Sequence, residues 1–429
     1  MDKQDLRSLS KSDLIRIILA QEERIAALER RLMMYENAHT PPSLCKRQPP
    51  KTPPRGRLGA PEGHPRYERE QPVPTETIEH REDACPRCAS PLGEPYRVER
   101  RVIEELPEPQ PLRAVAHLIN HYRCLHCKQH ITATNDVPQG MFGERLQTTV
   151  TLLKYDDRLP LRKVVNSLRR SHGVDMSNVA VMNILEHVGA ALQPSYTTLL
   201  ARVRNAPAVH VDETGIHMDG KKWWIWVFVT DTETVFVIRP SRGGGVPREI
   251  LGEDFKGTVV CDGWNAYYQF MTVQRCWAHL MREIKQLAID NPATKRIYQG
   301  FKTLFSQIQT LREKPPPLAT RQATKKRLLT QLKQLLTRLT HYEGAKKFVT
   351  KVTNGLQQWF TCIDHPEVEP TNNTAERALR ELVVQRKIIG GLRRPKGATT
   401  MERIMTMITT WKQQGLEVFS TLKNSITAR

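Results

Sequence analysis

The sequence predicts a multidomain α/β protein. A mixed sheet interrupted by a helical insertion is preceded by a coiled coil, a zinc ribbon and a helix-turn-helix. Three observations carry this. Val209 to Thr230 reads as two apolar strands around Asp219-Gly220, a strong hairpin dipeptide. A double Cys-x-x-Cys, Cys85/Cys88 and Cys124/Cys127, lies upstream. The chain carries a net charge of +20 over 429 residues, with 39% hydrophobic residues. That length and apolar content suffice for several domains, and the charge calls for a polyanionic partner, DNA or RNA.

No apolar run is long enough to span a bilayer, and Met1-Asp-Lys-Gln-Asp does not open a signal peptide, so a cytoplasmic location is expected. Its eight cysteines then read as metal ligands or free thiols. Residues 1–38 read as a coiled coil. Ile18, Ile25 and Leu32 occupy one apolar heptad position; Leu14, Gln21, Leu28 and Tyr35 occupy the other. This pattern favours a homo-oligomer, a parallel dimer, over a helix packed on its own chain. Residues 39–80 form a basic, Pro-rich linker that tracks phosphates or only tethers, with Cys45 a plain thiol.

Residues 81–135 read as the zinc ribbon. Four thiolates at Cys85, Cys88, Cys124 and Cys127 make a closed, structural Zn²⁺ site, and Tyr96–Val102 and Val115–Tyr122 are strand-like. His121, His126 and His130 are spare ligands. Within residues 144–200, Leu161–Arg170 and a helix capped by Ser177 flank a glycine turn, a pattern similar to a helix-turn-helix. Arg162, Lys163, Arg169 and Arg170 would contact phosphates; a helical pair that only packs is the alternative.

From Pro207 the strands matter most. The first is read as ending in Asp212, and the second, from Trp223, as central because it is apolar on both faces. A third runs over Thr234–Ile238, followed by a short helix at Pro247–Leu251. Gly257–Asp262 is a further apolar strand ending in a carboxylate; a helix with Tyr267 and Tyr268 and a strand near Val273–Cys276 follow. Glu376 falls in the first turns of a capped helix. A strand-end carboxylate is costly to bury unless paired or bound to a cation. Two such Asp residues and a helical Glu are the ligand set for two Mg²⁺ or Mn²⁺ ions.

Asp212-Glu-Thr, Cys261-Asp262-Gly, Cys276-Trp-Ala-His279 and Asn372-Asn-Thr-Ala-Glu376-Arg-Ala-Leu-Arg380 resemble the DDE transposases of the IS66 type, over most of the chain. The resemblance implies a ribonuclease H-like catalytic domain at 205–281 and 366–390, with a helical insertion at 282–365 and a basic helical tail at 391–429. It implies Asp212, Asp262 and Glu376 as catalytic metal ligands, supported by His279 and Asn373. His279 reads either as an orienting or phosphate-contacting group or as a buried structural one. Arg380, Arg386 and Lys387 are candidate DNA contacts; Lys325, Lys326, Arg327, Lys346 and Lys347 bind flanking DNA or form a solvated face. The expected partners are element ends, target DNA and, in this family, small accessory proteins. Where many members carry an aromatic and glycine motif, this chain has Ile388-Ile389-Gly390-Gly391. The rival readings are a ribonuclease H-like nuclease or resolvase and a non-catalytic DNA-binding protein descended from a transposase.

Overall fold

The computed structural model describes residues 10–33, 73–104, 109, 111–133 and 140–427. Tyr35, Cys45 and the linker up to residue 72 lie outside them. The chain divides into two units, Met1–Gln110 and Pro111–Arg429, each treated by itself.

In the first unit, α1 (Lys11–Met33) is the helix that the heptad predicts. Ile18, Ile25 and Leu28 are exposed on it. The expected strand at Tyr96–Val102 is absent, and Val115–Asn120 in the second unit is likewise not a strand. Tyr96, Val98 and Leu118 are solvent-exposed, so alternation alone, with no neighbour to bury one face, produced no ladder. Among the described residues of 81–135, β1 (His121–Arg123) and β2 (His130–Thr132) pair antiparallel around the second Cys-x-x-Cys, and a single bridge joins Ala84 to Pro91 around the first.

Four helices follow: α2 (Glu144–Tyr155), α3 (Leu161–His172), α4 (Asn178–Ala191) and α5 (Gln193–Arg204). Gly173, at φ 63°, ends α3 in the left-handed conformation, and Ser177 caps α4 by accepting from the Ala180 N–H at 3.1 Å. The expected helix, glycine turn and helix are therefore present.

The sheet contains β3 (Ala208–Met218), β4 (Lys221–Val229) and β5 (Thr234–Arg239). After α6 (Gly245–Leu251) it continues with β6 (Thr258–Cys261) and β7 (Thr272–Arg275). Its order is β5-β4-β3-β6-β7, with β3 antiparallel to β4 and parallel to β6. The Trp-rich β4 is an interior strand, as expected, paired with β5 on one side and with the middle strand β3 on the other; after the exposed Lys221 and Lys222 it is apolar, because helices cover the sheet. β3 also runs past Asp212 to Met218, because its hairpin with β4 continues after β6 has ended. Asp219 and Gly220 turn that hairpin with positive φ at both positions. Tyr267 ends, and Tyr268 follows, a single 3₁₀ turn at Asn265–Tyr267 that does not continue as a helix.

Helices α7 (Trp277–Asp290), α8 (Lys295–Glu313), α9 (Leu318–Leu339), α10 (Lys346–Thr353) and α11 (Thr361–Asp364) build a second core. Trp277, Phe301, Leu328, Trp359 and Phe360 fill it, and the Pro315–Pro317 run separates α8 from α9. Then come α12 (Asn373–Ile389), α13 (Pro395–Gln413) and α14 (Val418–Thr427). After α12 the chain passes directly against β3: a Cβ on Gly391 would sit 2.7 Å from the His217 carbonyl oxygen.

Residues 391–429, read as a basic tail, enter the main core through Met401, Ile404, Ile408 and Trp411, together with the helices of 144–204 and the sheet. α13 also covers the free edge of β5. Glu402, Thr406 and Thr410 lie four residues apart, on one helix face. They accept the outward N–H groups of Ile238, Phe236 and Thr234, which are two residues apart on the strand. A sheet edge that would otherwise present open donors is thereby closed.

Candidate active site

β3 and β6 pair only as far as His210 opposite Val260. Beyond that point β3 continues alone on that side, and Asp212 stands at the divergence, 4% exposed. Its carboxylate accepts the Glu213 N–H at 2.9 Å. Among the described residues no basic side chain pairs with Asp212 or Asp262. Burial pushes the Asp212 carboxyl well above its ordinary value, and the negative charges of Glu213, Asp262 and Glu376 push it further. Asp262 and Glu376 are thus near enough to act on the charge of Asp212.

Asp262 follows β6 directly and accepts the Trp264 N–H at 2.9 Å, which fixes the turn at Gly263. Arg275, fully buried under this turn, donates to the carbonyls of Lys351 and Asn354 at 2.8 and 2.7 Å. It lies 4.3 Å from the Trp359 ring centroid. An open cavity of about 700 Å³ begins at Asp262; Trp264, Tyr268, Lys346, Lys347 and Lys351 line it.

Glu376 occupies the first turn of α12, as its sequence predicts. Its carboxylate is turned toward α7. Arg282 Nη2 lies 3.0 Å from it and His279 Nδ1 3.5 Å. Cys276, the N-cap of α7, lies beside both.

The start of α12 is held by Asn372, not by its exposed neighbour Asn373. Asn372 Nδ2 donates to the Val211 carbonyl at 2.8 Å, and its main-chain N–H reaches Cys276 Sγ at 3.1 Å. Its Oδ1 faces His210 Nδ1 at 3.2 Å. Burial lowers the His210 pKa, which favours a neutral ring. One fully buried amide thus joins the β3 strand, the α7 cap and the helix that carries Glu376.

Glu213, on the opposite face of β3 from Asp212, is fully partnered. Arg242 Nε donates to it at 2.8 Å and the Tyr267 hydroxyl at 2.6 Å. Arg242 in turn lies over the rings of Trp264 and Trp224 at 4.3 and 4.9 Å. Arg386, read as a DNA contact, instead donates to the Thr214 hydroxyl and the Gly215 carbonyl, so it ties α12 to β3. Arg380 and Lys387 are exposed. So are Arg162, Lys163, Arg169 and Arg170 on α3, with Arg169 paired to Asp175 at 2.6 Å.

The two Cys-x-x-Cys turns are built alike. The Cys85 N–H donates to the Ser90 carbonyl, and the Ala89 N–H returns to the Cys85 carbonyl, both at 2.8 Å. Cys124, Gln129 and Lys128 repeat this, both bonds at 2.9 Å. Ala89 and Lys128 share a left-handed φ of 59° and 60°. Hydrogen bonds from Ser90 lower the Cys88 thiol, and main-chain bonds at Cys127 and His126 lower that of Cys124. Both shifts favour the thiolate that a metal requires.

Arg242, Arg275 and Arg282 were not singled out by sequence, and Tyr267 and Asn372 were named there without a role of their own. Asn372 and Arg282 had a local signal, one as the residue preceding a helix and the other as the residue one turn after His279. The rest depend on contacts between distant segments.

Comparison with known proteins gives the family. Two uncharacterized proteins of Sinorhizobium fredii (strain NBRC 101917 / NGR234), y4qI and y4hP, are each 24% identical to this chain. The similarity covers 336 and 375 residues, 70% and 76% of this chain. The chain spans somewhat under two thirds of their lengths, 62% and 66%. Residues 139–400 match the family model described as the Transposase IS66 family. The match covers well over half of the sequence and includes Asp212, Asp262, Glu376 and the segments that support them; the chain belongs to the IS66 transposase family.

Proposed function

We propose that this chain is a DDE transposase. It binds the ends of its insertion sequence, cleaves them and joins the freed 3′-OH to target DNA. The observation that carries this reading is the charge frustration at Asp212: a carboxylate raised first by its burial and then by the charges of Glu213, Asp262 and Glu376, with no basic partner among the described residues. The strand order, three antiparallel strands followed by two parallel ones, supports a ribonuclease H-like core. The donor set is all oxygen and fits hard cations, Mg²⁺ or Mn²⁺. Asp212, Asp262 and Glu376 would hold two such ions, which when bound supply Lewis acidity at the scissile phosphate.

The protein's own share is placement. The parting of β3 from β6 fixes Asp212, the Gly263 turn fixes Asp262, and Asn372 holds the Glu376 helix against both. Lys346, Lys347 and Lys351 give the adjoining cavity a positive wall suited to the phosphates of the entering strand. The exposed Arg162, Lys163, Arg169 and Arg170 suit phosphate contacts of a helix-turn-helix, with Arg380 and Lys387 nearer the site. Each Cys-x-x-Cys turn offers two thiols to a structural Zn²⁺, and the exposed apolar residues of α1 suit a dimer.

The test incubates the protein with labelled element ends, a plasmid target and Mg²⁺ or Mn²⁺. Joined product is expected. Cleavage without joining would make it a nuclease, and a shifted but intact substrate would make it a binding protein.

A further inference from the structure

We propose that Cys276, His279 and Glu376 form a transition-metal site of the zinc class, which competes with the carboxylate site for Glu376. One ligand atom from each of the three side chains lies within 4.8 Å of the other two, the only such group of three among the described residues. The placement is built by three elements. Cys276 caps α7, and His279, one turn later, lies on the same side of that helix. The first turn of α12 supplies Glu376, held in position by Asn372, whose main-chain N–H points at Cys276 Sγ.

The donors are one sulfur, one nitrogen and one oxygen. Zinc takes such a set with a fourth position left open, whereas Mg²⁺ avoids thiolate and seeks oxygen. Cys276 and His279 are buried, while the Glu376 side chain is 29% exposed, so an ion enters from the carboxylate side. Binding forms a metal–sulfur bond in place of S–H, and the proton leaves to solvent. Arg282 must give up its 3.0 Å contact with Glu376 for this to happen.

The consequence follows from sharing. A Glu376 engaged by a soft ion is lost to Asp212 and Asp262, so a trace of zinc weakens the hard-ion site. This competition rests on the assignment of Glu376 as the third carboxylate ligand; the soft site itself does not.

The experiment uses the full chain. Bound zinc is counted after equilibration with a zinc buffer, for the wild type, Cys276→Ser and His279→Gln. The wild type should hold about one equivalent more than either variant. Melting temperatures of the three proteins report whether a variant has failed to fold. Crystals soaked in Zn²⁺ give a second readout that needs no variant, an anomalous peak between the three side chains. Equal counts, or no peak, would overturn the site. Competition is read by Mn²⁺ paramagnetic resonance: zinc should weaken Mn²⁺ binding to the wild type by ~10-fold or more, the loss typical of a disturbed ligand, and leave Cys276→Ser unaffected. Zinc bound without loss of Mn²⁺ would overturn the competition. Failure of the wild type to bind Mn²⁺ even without zinc would overturn both the competition and the carboxylate-triad assignment, while the zinc count would still decide the soft site.

Discussion

Two adjacent residues on one strand, Asp212 and Glu213, are both buried acids, and they are treated in opposite ways. Glu213 faces Arg242 and Tyr267 and is satisfied on its side of the sheet. Burial and the charge of Asp262 raise both acids, but Asp212 also feels Glu213 and Glu376 and has no basic partner among the described residues. A buried charge with its partners in place is part of the architecture, whereas one left among like charges is held ready for a ligand. The lesson is that burial alone does not distinguish structural from functional acids; their partners do.

The largest effect that tests this contrast is on chemistry. Asp212→Asn, Asp262→Asn and Glu376→Gln each keep size and remove one charge. Cleavage and joining should fall by roughly two or more orders of magnitude, while binding of labelled ends in a mobility-shift assay persists. An active Glu376→Gln enzyme would move the third ligand elsewhere, with Glu369 and Glu381 next to be tested. Glu213→Gln should do the reverse. Removing the charge opposite Arg242 should cost roughly 1–3 kcal/mol in denaturant unfolding, with most activity kept below the unfolding transition. Inactive but fully stable Glu213→Gln would erase the distinction between the two faces.

A third effect concerns pH. A carboxyl raised in the folded state keeps its proton where the unfolded chain, near the ordinary 3.8, has lost it. Without divalent ions, stability should therefore fall as pH rises from about 4 through the folded-state value, and the penalty should be fully present above it. Asp212→Asn removes that penalty. At neutral pH in chelator it should melt higher than the wild type, by ~2–4 °C for each kcal/mol relieved, and Mg²⁺ should narrow the gap. A lower melting temperature for Asp212→Asn in chelator would show that the site is not strained. The smallest effect lies outside the contrast, at the sheet edge. Thr406→Val leaves the Phe236 N–H without its acceptor and should cost about 1–2 kcal/mol.

The sequence made the hairpin, the short strand before Asp262 and the Glu376 helix legible, because each rests on local pattern: alternation, a turn dipeptide, a helical run. It misjudged what depends on contact across the chain. Asn373 was named as a supporting residue and Asn372 was not, because a motif does not say which of two amides turns inward; Asn372 is held inward by the Val211 carbonyl, 161 residues away. Arg386 read as a DNA contact because a basic residue near a helix end is normally free, and its engagement with Gly215 is a tertiary fact. The strands expected at 96–102 and 115–122 failed for the opposite reason. Their alternation was real, but except at the β1 hairpin no neighbour completed it.

The cover of β5 by α13 has a consequence in time. Phe236 and the threonine that satisfies it are 170 residues apart. At a synthesis rate of ~5–20 residues per second, the strand waits roughly 10–30 s for Thr406 to be made. Throughout that interval the nascent sheet has an open edge, and its closure waits until α13 has been made. A copy of the gene interrupted before Pro395 would yield a chain whose sheet edge never closes.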